Sequence, residues 1–393
     1  MLVRRTTPEE AGKVNELFSL AFALPQSMGP AADQRPHRHW AAFDEASGQM
    51  TSSISATDFT VHFDWETCRM AGIGGVATLP QYRRQGGLRA CFQKALPEFY
   101  DSGYEFSYLF PFSNAFYRQF GYESCVRKIV ARVNPKLLKP DPTEGRLCLA
   151  EPSMEDAIRA VDRVWESRYN MSVVHGEDHY KWFRDTAPAE SLEFTYLYFD
   201  RDNNPQAYTT FRSVTEDGVR RLKCRRFFFL SREGFQGLMR LFQSMACDYD
   251  TVSFVVPGCC DMEYLLPEWS MGALQMTLAP FGMVRVINAE QVLRKCHCHG
   301  CVGRLTVELH DPLIPQNNDT FTVDWKDGHV TAVERTELEP DAVLDISAFS
   351  ALIAGACDLD QAELWMKGLR VRKPESYPSL MFYRKPMMIT DFF

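Results

Sequence analysis

The stretch Val76-Ala77-Thr78-Leu79-Pro80-Gln81-Tyr82-Arg83-Arg84-Gln85-Gly86-Gly87-Leu88 joins the end of a strand to the start of a helix through a basic, glycine-bearing turn. The helix is marked by Leu88, Cys91, Phe92, Ala95, Leu96 and Phe99, which recur on one face, and Gly103 can serve as its C-cap. The first N–H groups of such a helix have no intrahelical partners and carry the positive end of its dipole. Gly86 and Gly87 let a bulky anion approach the backbone, and Arg83 and Arg84 add positive charge. That combination suits a pyrophosphate. The plainer alternative is a solvated surface turn, because arginine and glycine are common in turns. Pro97, inside the helix, should kink it.

Upstream, Leu2 to Arg4 reads as a short strand, and Thr7-Pro8-Glu9-Glu10 as a capping box with proline at the first helical position. Val14, Leu17, Phe18, Ala21 and Phe22 then give a helix its core-facing stripe. Thr51 to Ala56 and Thr60 to Asp64 read as two strands, and Cys68 to Thr78 as a third that carries three glycines. Downstream, the proline-rich Asn134 to Pro142 is a linker. After it the order of elements repeats in outline. A helix starts near Ser153, and strands follow at Phe194–Phe199, Gln206–Arg212 and Leu222–Leu230. Ser231 then caps another helix ahead of the strand Thr251–Val256. The final stretch changes texture. Arg304 to Leu309 and Phe321 to Trp325 alternate apolar and polar residues, and Asp327-Gly328 supplies a hairpin turn. Helices are expected over Asp345–Ala354 and Leu359–Lys367 on either side of Gly355, which makes this an α+β domain.

At 393 residues the chain suits two or three domains. Its net charge of -8 disfavours nucleic acid as a partner, which wants a basic face. The N-terminus lacks the apolar core of a signal peptide, and runs such as Phe227-Phe228-Phe229-Leu230 are too short to span a bilayer. A cytoplasmic protein with its twelve cysteines as free thiols is the expectation, with no membrane partner. Cys296-His297-Cys298-His299-Gly300-Cys301, with Cys259-Cys260, raises the question of zinc. The spacing lacks the turn that aims two sulfurs at one ion, so no metal is expected and these side chains read as small packing residues.

The strand, turn and helix continue into a second strand, Phe106-Ser107-Tyr108-Leu109-Phe110-Pro111, and then Phe112-Ser113-Asn114-Ala115-Phe116-Tyr117-Arg118-Gln119-Phe120-Gly121-Tyr122. This succession resembles the GNAT superfamily of acetyltransferases, and more closely its Eis-type (enhanced intracellular survival) members. The resemblance rests on the Pro-x-Tyr-Arg-Arg-x-Gly turn, the Phe-Pro-Phe-x-x-x-Phe-Tyr-x-x-Phe-Gly-Tyr run, Phe281 to Val286, and the Asp391-Phe392-Phe393 end. It implies a mixed α/β chain of tandem GNAT domains and a sterol carrier protein 2-like α+β domain. The boundaries would be 1–132 for the catalytic domain, 133–285 for a degenerate copy and 286–393 for the third. The copy should not bind coenzyme A, because Glu233 lies where phosphate would sit.

The resemblance implies one acetyl-CoA per chain and transfer of acetyl to an amine. Val76, Ala77 and Thr78 would pair with the pantetheine arm. Arg83, Arg84, Gly86, Gly87 and Leu88 would hold the pyrophosphate, with Ser113 or Asn114 as further contacts. Tyr117 would protonate the leaving thiolate, and the carboxylate of Phe393 would be the base. From the residues alone, Tyr117 is one ring among Phe112, Phe116, Phe120 and Tyr122 and could simply pack. Asp391 is the rival base. The tail Met387 to Phe393 is apolar to its end, unlike most frayed termini. Family acceptors include aminoglycosides, polyamines and protein lysines, attracted by acidic residues. Ala23 to Met28 has no carboxylate, which leaves Asp33, Asp44 and Glu45 as the acidic candidates. A homo-oligomer, a hexamer of two stacked trimers, is also implied. The alternative function is lipid or small-molecule binding by the third domain with a vestigial GNAT half.

Overall fold

The computed structural model describes residues 1–29, 37–184, 188–268 and 271–393. Down the chain come β1 (Leu2–Arg5), α1 (Ala11–Phe22), β2 (His37–Phe43), β3 (Met50–Phe63), β4 (Glu66–Thr78), α2 (Gly87–Asp101), β5 (Phe106–Leu109), α3 (Asn114–Arg118) and β6 (Glu123–Val133). There follow β7 (Arg146–Leu149), α4 (Glu155–Glu166), α5 (Lys181–Arg184), α6 (Pro188–Ser191), β8 (Glu193–Phe199), β9 (Pro205–Glu216), β10 (Val219–Phe229), α7 (Arg232–Ser244) and β11 (Thr251–Pro257). Last are β12 (Leu274–Val286), α8 (Ala289–Lys295), β13 (Val302–His310), β14 (Asp319–Lys326), β15 (His329–Arg335), β16 (Ala342–Asp345), α9 (Ile346–Ala354), α10 (Leu359–Trp365) and β17 (Leu369–Val371). One compact unit takes Met1–Val126, Phe281–Lys385 and Ile389–Phe393; a second takes Arg127–Pro280 and Pro386–Met388.

In the first unit, β1 to β4 pair antiparallel in sequence order, β5 joins β4 in parallel, and Met283–Val286 of β12 pairs antiparallel with β5. The strand expected to break between Ala56 and Thr60 runs through unbroken as β3. Asp58, which lies in that gap, sits in register with Ala71, and its carboxylate accepts from Arg38 and from the Tyr104 hydroxyl, each at 2.7 Å. A charge satisfied at the strand's open face does not interrupt the ladder. Helix α2 lays Cys91, Phe92, Ala95, Leu96 and Phe99 against this sheet, all at 0% exposure beside Trp40 and Ile54. Each large side chain so buried contributes about 1.5–3 kcal/mol. The helix runs on through Pro97, and the carbonyl that loses its partner belongs to solvent-exposed Gln93.

The same unit holds a second sheet in the order β15-β14-β13-β16-β17, with β13 and β16 parallel. Helix α9, capped at Asp345 and ended by left-handed Gly355, is buried from Phe349 to Ala354. In the second unit, β7 to β10 pair antiparallel in order, β11 joins β10 in parallel, and Lys128–Val133 of β6 pairs antiparallel with β11. The two units thus repeat one succession, and in each the last strand comes from the other half of the sequence. Among the described residues no helix is long and apolar enough to cross a membrane.

Within the first unit, a buried ion pair ties the two sheets together. Arg285 and Asp311 are both fully buried and meet through two hydrogen bonds of 2.7 and 2.8 Å. Arg285 also donates to the carbonyls of Phe120 and Val286, each at 2.6 Å. Asp311 accepts from the Leu313 and Ile314 N–H groups and from the Asn317 amide. Replacing Arg285 by Met leaves Asp311 as a buried, uncompensated charge, and should cost about 3–5 kcal/mol, read as a lower urea midpoint. Adding Asp311→Asn should recover part of that loss, because the neutral amide keeps an oxygen for the Leu313 and Ile314 N–H groups.

Candidate active site

Strands β4 and β5 stay paired only from Met70–Phe106 to Ile73–Leu109, while β4 continues to Thr78. Beyond Ile73 its edge towards β5 therefore has no strand to satisfy it. On the other edge, Ser53 and Ser55 of β3 face Ala77 and Gly74, so one residue of β3 opposes two of β4. The extra residue is a bulge at Gly75, whose φ of 54° lies in the left-handed region. A cleft of about 630 Å³ opens where the strands part, lined by Val76, Ala77 and Thr78 on one side and by Arg83, Arg84, Gly86, Gly87 and Leu88 at its end. Sequence reading missed Ala21 and Phe22 from α1 and Phe112, Phe116 and Gln119 around α3, which close its walls. Ala21, Phe22, Phe112 and Phe116 read as ordinary packing residues, and nothing in the sequence singled out Gln119.

The turn before α2 places Arg84 at φ 64° and Gly86 at φ 85°, left-handed residues that fold successive N–H groups into a concave surface. No side chain caps the helix. Among the described residues neither Arg83 nor Arg84 has an ion-pair partner, and both are exposed. Gly87, at the end of the cleft, also lies against the sheet behind it. A methyl group there would come within 2.4 Å of Ser52 Oγ, so its bareness lets the helix lie close on β3.

Ser113 caps α3 by accepting the Phe116 N–H at 3.3 Å. Ser113 and Asn114 do not line the cleft. Tyr117 is 1% exposed and boxed by Phe92, Phe112, Phe116 and Tyr122 with ring centres 5.1–6.3 Å away. Burial pushes its phenol above the ordinary tyrosine value, so the hydroxyl keeps its proton.

The chain end lies on the floor where the strands part. A methyl group on Gly74 would come within 3.2 Å of the Phe393 carboxyl carbon and oxygen, and one on Gly72 within 2.6 Å of the Phe393 and Phe59 rings. Two of the three glycines noted in this strand are therefore the seat of the C-terminus. The Phe393 ring packs on Phe59 at 4.9 Å and Phe110 at 5.2 Å, and Phe110 in turn meets Phe281 and Phe392. Among the described residues no cation pairs with the terminal carboxylate. Asp391 accepts from the Thr390 hydroxyl at 2.8 Å. Of the acidic candidates, Asp44 closes its own turn with Ser47, and Glu45 binds the N-terminal ammonium. Asp33 lies outside the described residues.

Cys296 and Cys298 are buried, and Cys296 donates to the Leu293 carbonyl at 3.2 Å. His297 shares a hydrogen bond with the Tyr383 hydroxyl, and His299 stacks on the Tyr383 ring.

By sequence, residues 2–125 match the acetyltransferase (GNAT) domain family, and residues 289–368 the sterol carrier protein domain family. No curated protein sequence is similar enough to the chain to be matched. Among solved structures, a conserved protein of unknown function from Enterococcus faecalis, described as a probable N-acyltransferase, has a TM-score of 0.87 at 20% identity over 100% of this chain and 99% of that one. A GCN5-related N-acetyltransferase from Anabaena variabilis scores 0.86 at 18% identity over 100% of both chains. Eis1 from Mycobacterium abscessus scores 0.81 at 17% identity, also over 100% of both. Residues 2–125 are thus matched as an acetyltransferase (GNAT) domain, and the whole chain shares the fold of the N-acetyltransferase from Anabaena variabilis. Its fold is that of the Eis-type proteins, tandem GNAT domains followed by a sterol-carrier-like domain.

The Gly87 geometry is open to test. Gly87→Ala should cost about 1–3 kcal/mol through overpacking, seen as a lower thermal midpoint. Ser52→Ala in that background should return part of the loss by removing the oxygen the new methyl meets.

Proposed function

We propose that the protein transfers an acetyl group from acetyl-CoA directly to an amine, with Tyr117 as general acid and the Phe393 carboxylate as general base. GNAT acetyltransferases use acetyl-CoA, and the cleft suits it. The uncapped start of α2 and the free charges of Arg83 and Arg84 offer N–H donors and cations to a pyrophosphate. The unpaired edge of β4 at Val76 to Thr78 offers backbone groups to the amides of a pantetheine arm, and an N–H there can polarise the thioester carbonyl. Ser113 accepts the Phe116 N–H and retains its O–H for a phosphate; Asn114 would lie beside it.

In the reaction the amine nitrogen loses its proton to the Phe393 carboxylate and forms the new C–N bond. The C–S bond breaks, and the Tyr117 hydroxyl supplies a proton to the departing thiolate. The observation that carries this reading is the position of an unpaired terminal carboxylate at Gly74, where β4 and β5 separate. The resemblance to Eis-type proteins further supports a cytoplasmic homo-hexamer and an acceptor among aminoglycosides, polyamines or lysine side chains.

Mass-spectrometric detection of acetylated amine from acetyl-CoA and a panel of kanamycin, spermidine and a lysine peptide tests the activity. Two residues appended after Phe393 should abolish turnover; turnover that survives would move the base to a side chain. Tyr117→Phe should lower kcat by roughly 10²–10³-fold with little change in the KM for acetyl-CoA. Because the phenol sits above its ordinary value of about 10, kcat should show no alkaline fall below about pH 10. Arg83→Ala with Arg84→Ala should instead raise that KM and leave kcat nearly intact.

A further inference from the structure

The cleft takes a third arginine besides the two of the turn. Arg89, on α2, lines it together with Gln119, which closes α3. The Arg89 guanidinium donates to the Gln119 side-chain oxygen at 2.6 Å. That bond engages the only acceptor atom in the two side-chain head groups, since a guanidinium carries donors alone. What remains on the pair is N–H groups, those left on Arg89 and the amide nitrogen of Gln119. Among the described residues no carboxylate pairs with Arg89, as none pairs with Arg83 or Arg84. The placement of this charge runs against local preference. Helix α2 opens on Gly87, so Arg89 stands in its first turn, and that turn holds no acidic residue. A cation there meets the positive end of the helix dipole, where a carboxylate would be favoured. Three arginines thus crowd a helix start that is already positive. Departures of this kind from local preference mark the places where a ligand supplies the missing partner.

We propose that Arg89 and Gln119 bind the 3′-phosphate of coenzyme A, and so set the chain's preference for that carrier over its form with a free 3′-hydroxyl. The inference rests on the reading of acetyl-CoA as the donor. The pyrophosphate of that donor accounts for the open N–H groups of the helix start and for the two arginines of the turn. Arg89 lies three residues, about 4.5 Å, further along the helix than Gly86, and Gln119 draws its guanidinium towards α3. That leaves a separate set of donors for a second anion. A phosphate monoester brings about 1.5–2 negative charges at neutral pH and three acceptor oxygens. The guanidinium fork can meet two of those oxygens side by side, and the Gln119 amide can meet the third. Gln119 also positions Arg89, holding a long and otherwise mobile side chain at the wall of the cleft. A glutamate in its place would cancel the charge and set a carboxylate against the phosphate.

Titration calorimetry on the full-length protein with coenzyme A and with 3′-dephospho-coenzyme A tests this without any need for turnover. The native chain should bind coenzyme A about 10–100-fold more tightly, the worth of hydrogen bonds to a charged group. Arg89→Gln should remove most of that preference by weakening coenzyme A alone, and Gln119→Glu should do the same. Arg83→Ala with Arg84→Ala should instead weaken both ligands alike. Equal affinity of the native chain for the two ligands would overturn the assignment. Equal weakening of both by Arg89→Gln would hand the arginine to the pyrophosphate and overturn it too. Because a first-turn cation does not help the free helix, Arg89→Gln should leave the thermal midpoint of the ligand-free protein level or higher. A fall would make the arginine a structural group and count against the site. A native chain that binds neither ligand would remove the donor reading and this inference with it. One that binds coenzyme A yet acetylates no amine would sink the proposed reaction alone, and the two affinities would still decide the 3′-phosphate site.

Discussion

The buried pair of Arg285 and Asp311 is the constraint on which the first unit depends. Two fully desolvated charges seldom add net stability, since their attraction roughly repays the loss of hydration. What such a pair does supply is register. Arg285 sits on the strand that completes the GNAT sheet, and its remaining N–H groups hold the Phe120 carbonyl at the close of the turn that carries Tyr117. Asp311 gathers the Leu313, Ile314 and Asn317 donors just past the end of β13, the central strand of the sterol-carrier-like sheet. An apolar substitute of the same volume could fill the space, yet it could not satisfy these four partners at once. The pair therefore fixes how the domain that bears the chain end is seated on the domain that bears the cleft.

That seating matters because the space for the tail is made by subtraction. Gly72 and Gly74 leave a bare patch on β4, and the Phe393 ring and carboxyl occupy it with no room for even a methyl group. The bulge at Gly75 follows at once, and there the strand gives up its regular pairing on both edges. A regular strand would present satisfied backbone and projecting side chains, and would have neither a seat for the terminus nor free amides for a ligand. The surrounding rings of Phe59, Phe110 and Phe281 fix the terminus without pairing its charge. An ion pair would have held it more simply and left it a poorer proton acceptor.

Much of this was legible in the sequence where the signal is local. The stripe from Leu88 to Phe99 read directly as a helix, and the basic turn before it as an open helix start. Local reading failed where a distant residue decides the outcome. The gap expected between Ala56 and Thr60 holds Asp58, whose partners Arg38 and Tyr104 lie far off in the sequence. Gly87 was visible as part of the turn, but its close contact with Ser52, thirty-five positions away, was not. The glycines of β4 were visible as an oddity, but their meaning requires the last residue of the chain. Ser113 entered only through the family resemblance, and its role as the cap of the helix that follows it was not read from the sequence.

The two units share a succession of strands and differ at the start of the helix that each carries. The strands of the second repeat the succession of the first, including the parallel pair β10–β11 and the helix α7 that enters between them. At that helix start, however, Ser231 accepts the Gly234 N–H at 3.1 Å. Glu233 adds a carboxylate that accepts from the Tyr198 hydroxyl at 2.7 Å and from the Gly145 N–H at 3.2 Å. The donors that an anion would use are partly consumed, and a negative charge already stands in its place. In the first unit the equivalent helix starts on Gly86 with no capping side chain and two free arginines. An uncapped helix end costs about 1 kcal/mol relative to a capped one. One helix start accepts that cost and leaves its donors open, and the other is capped by Ser231.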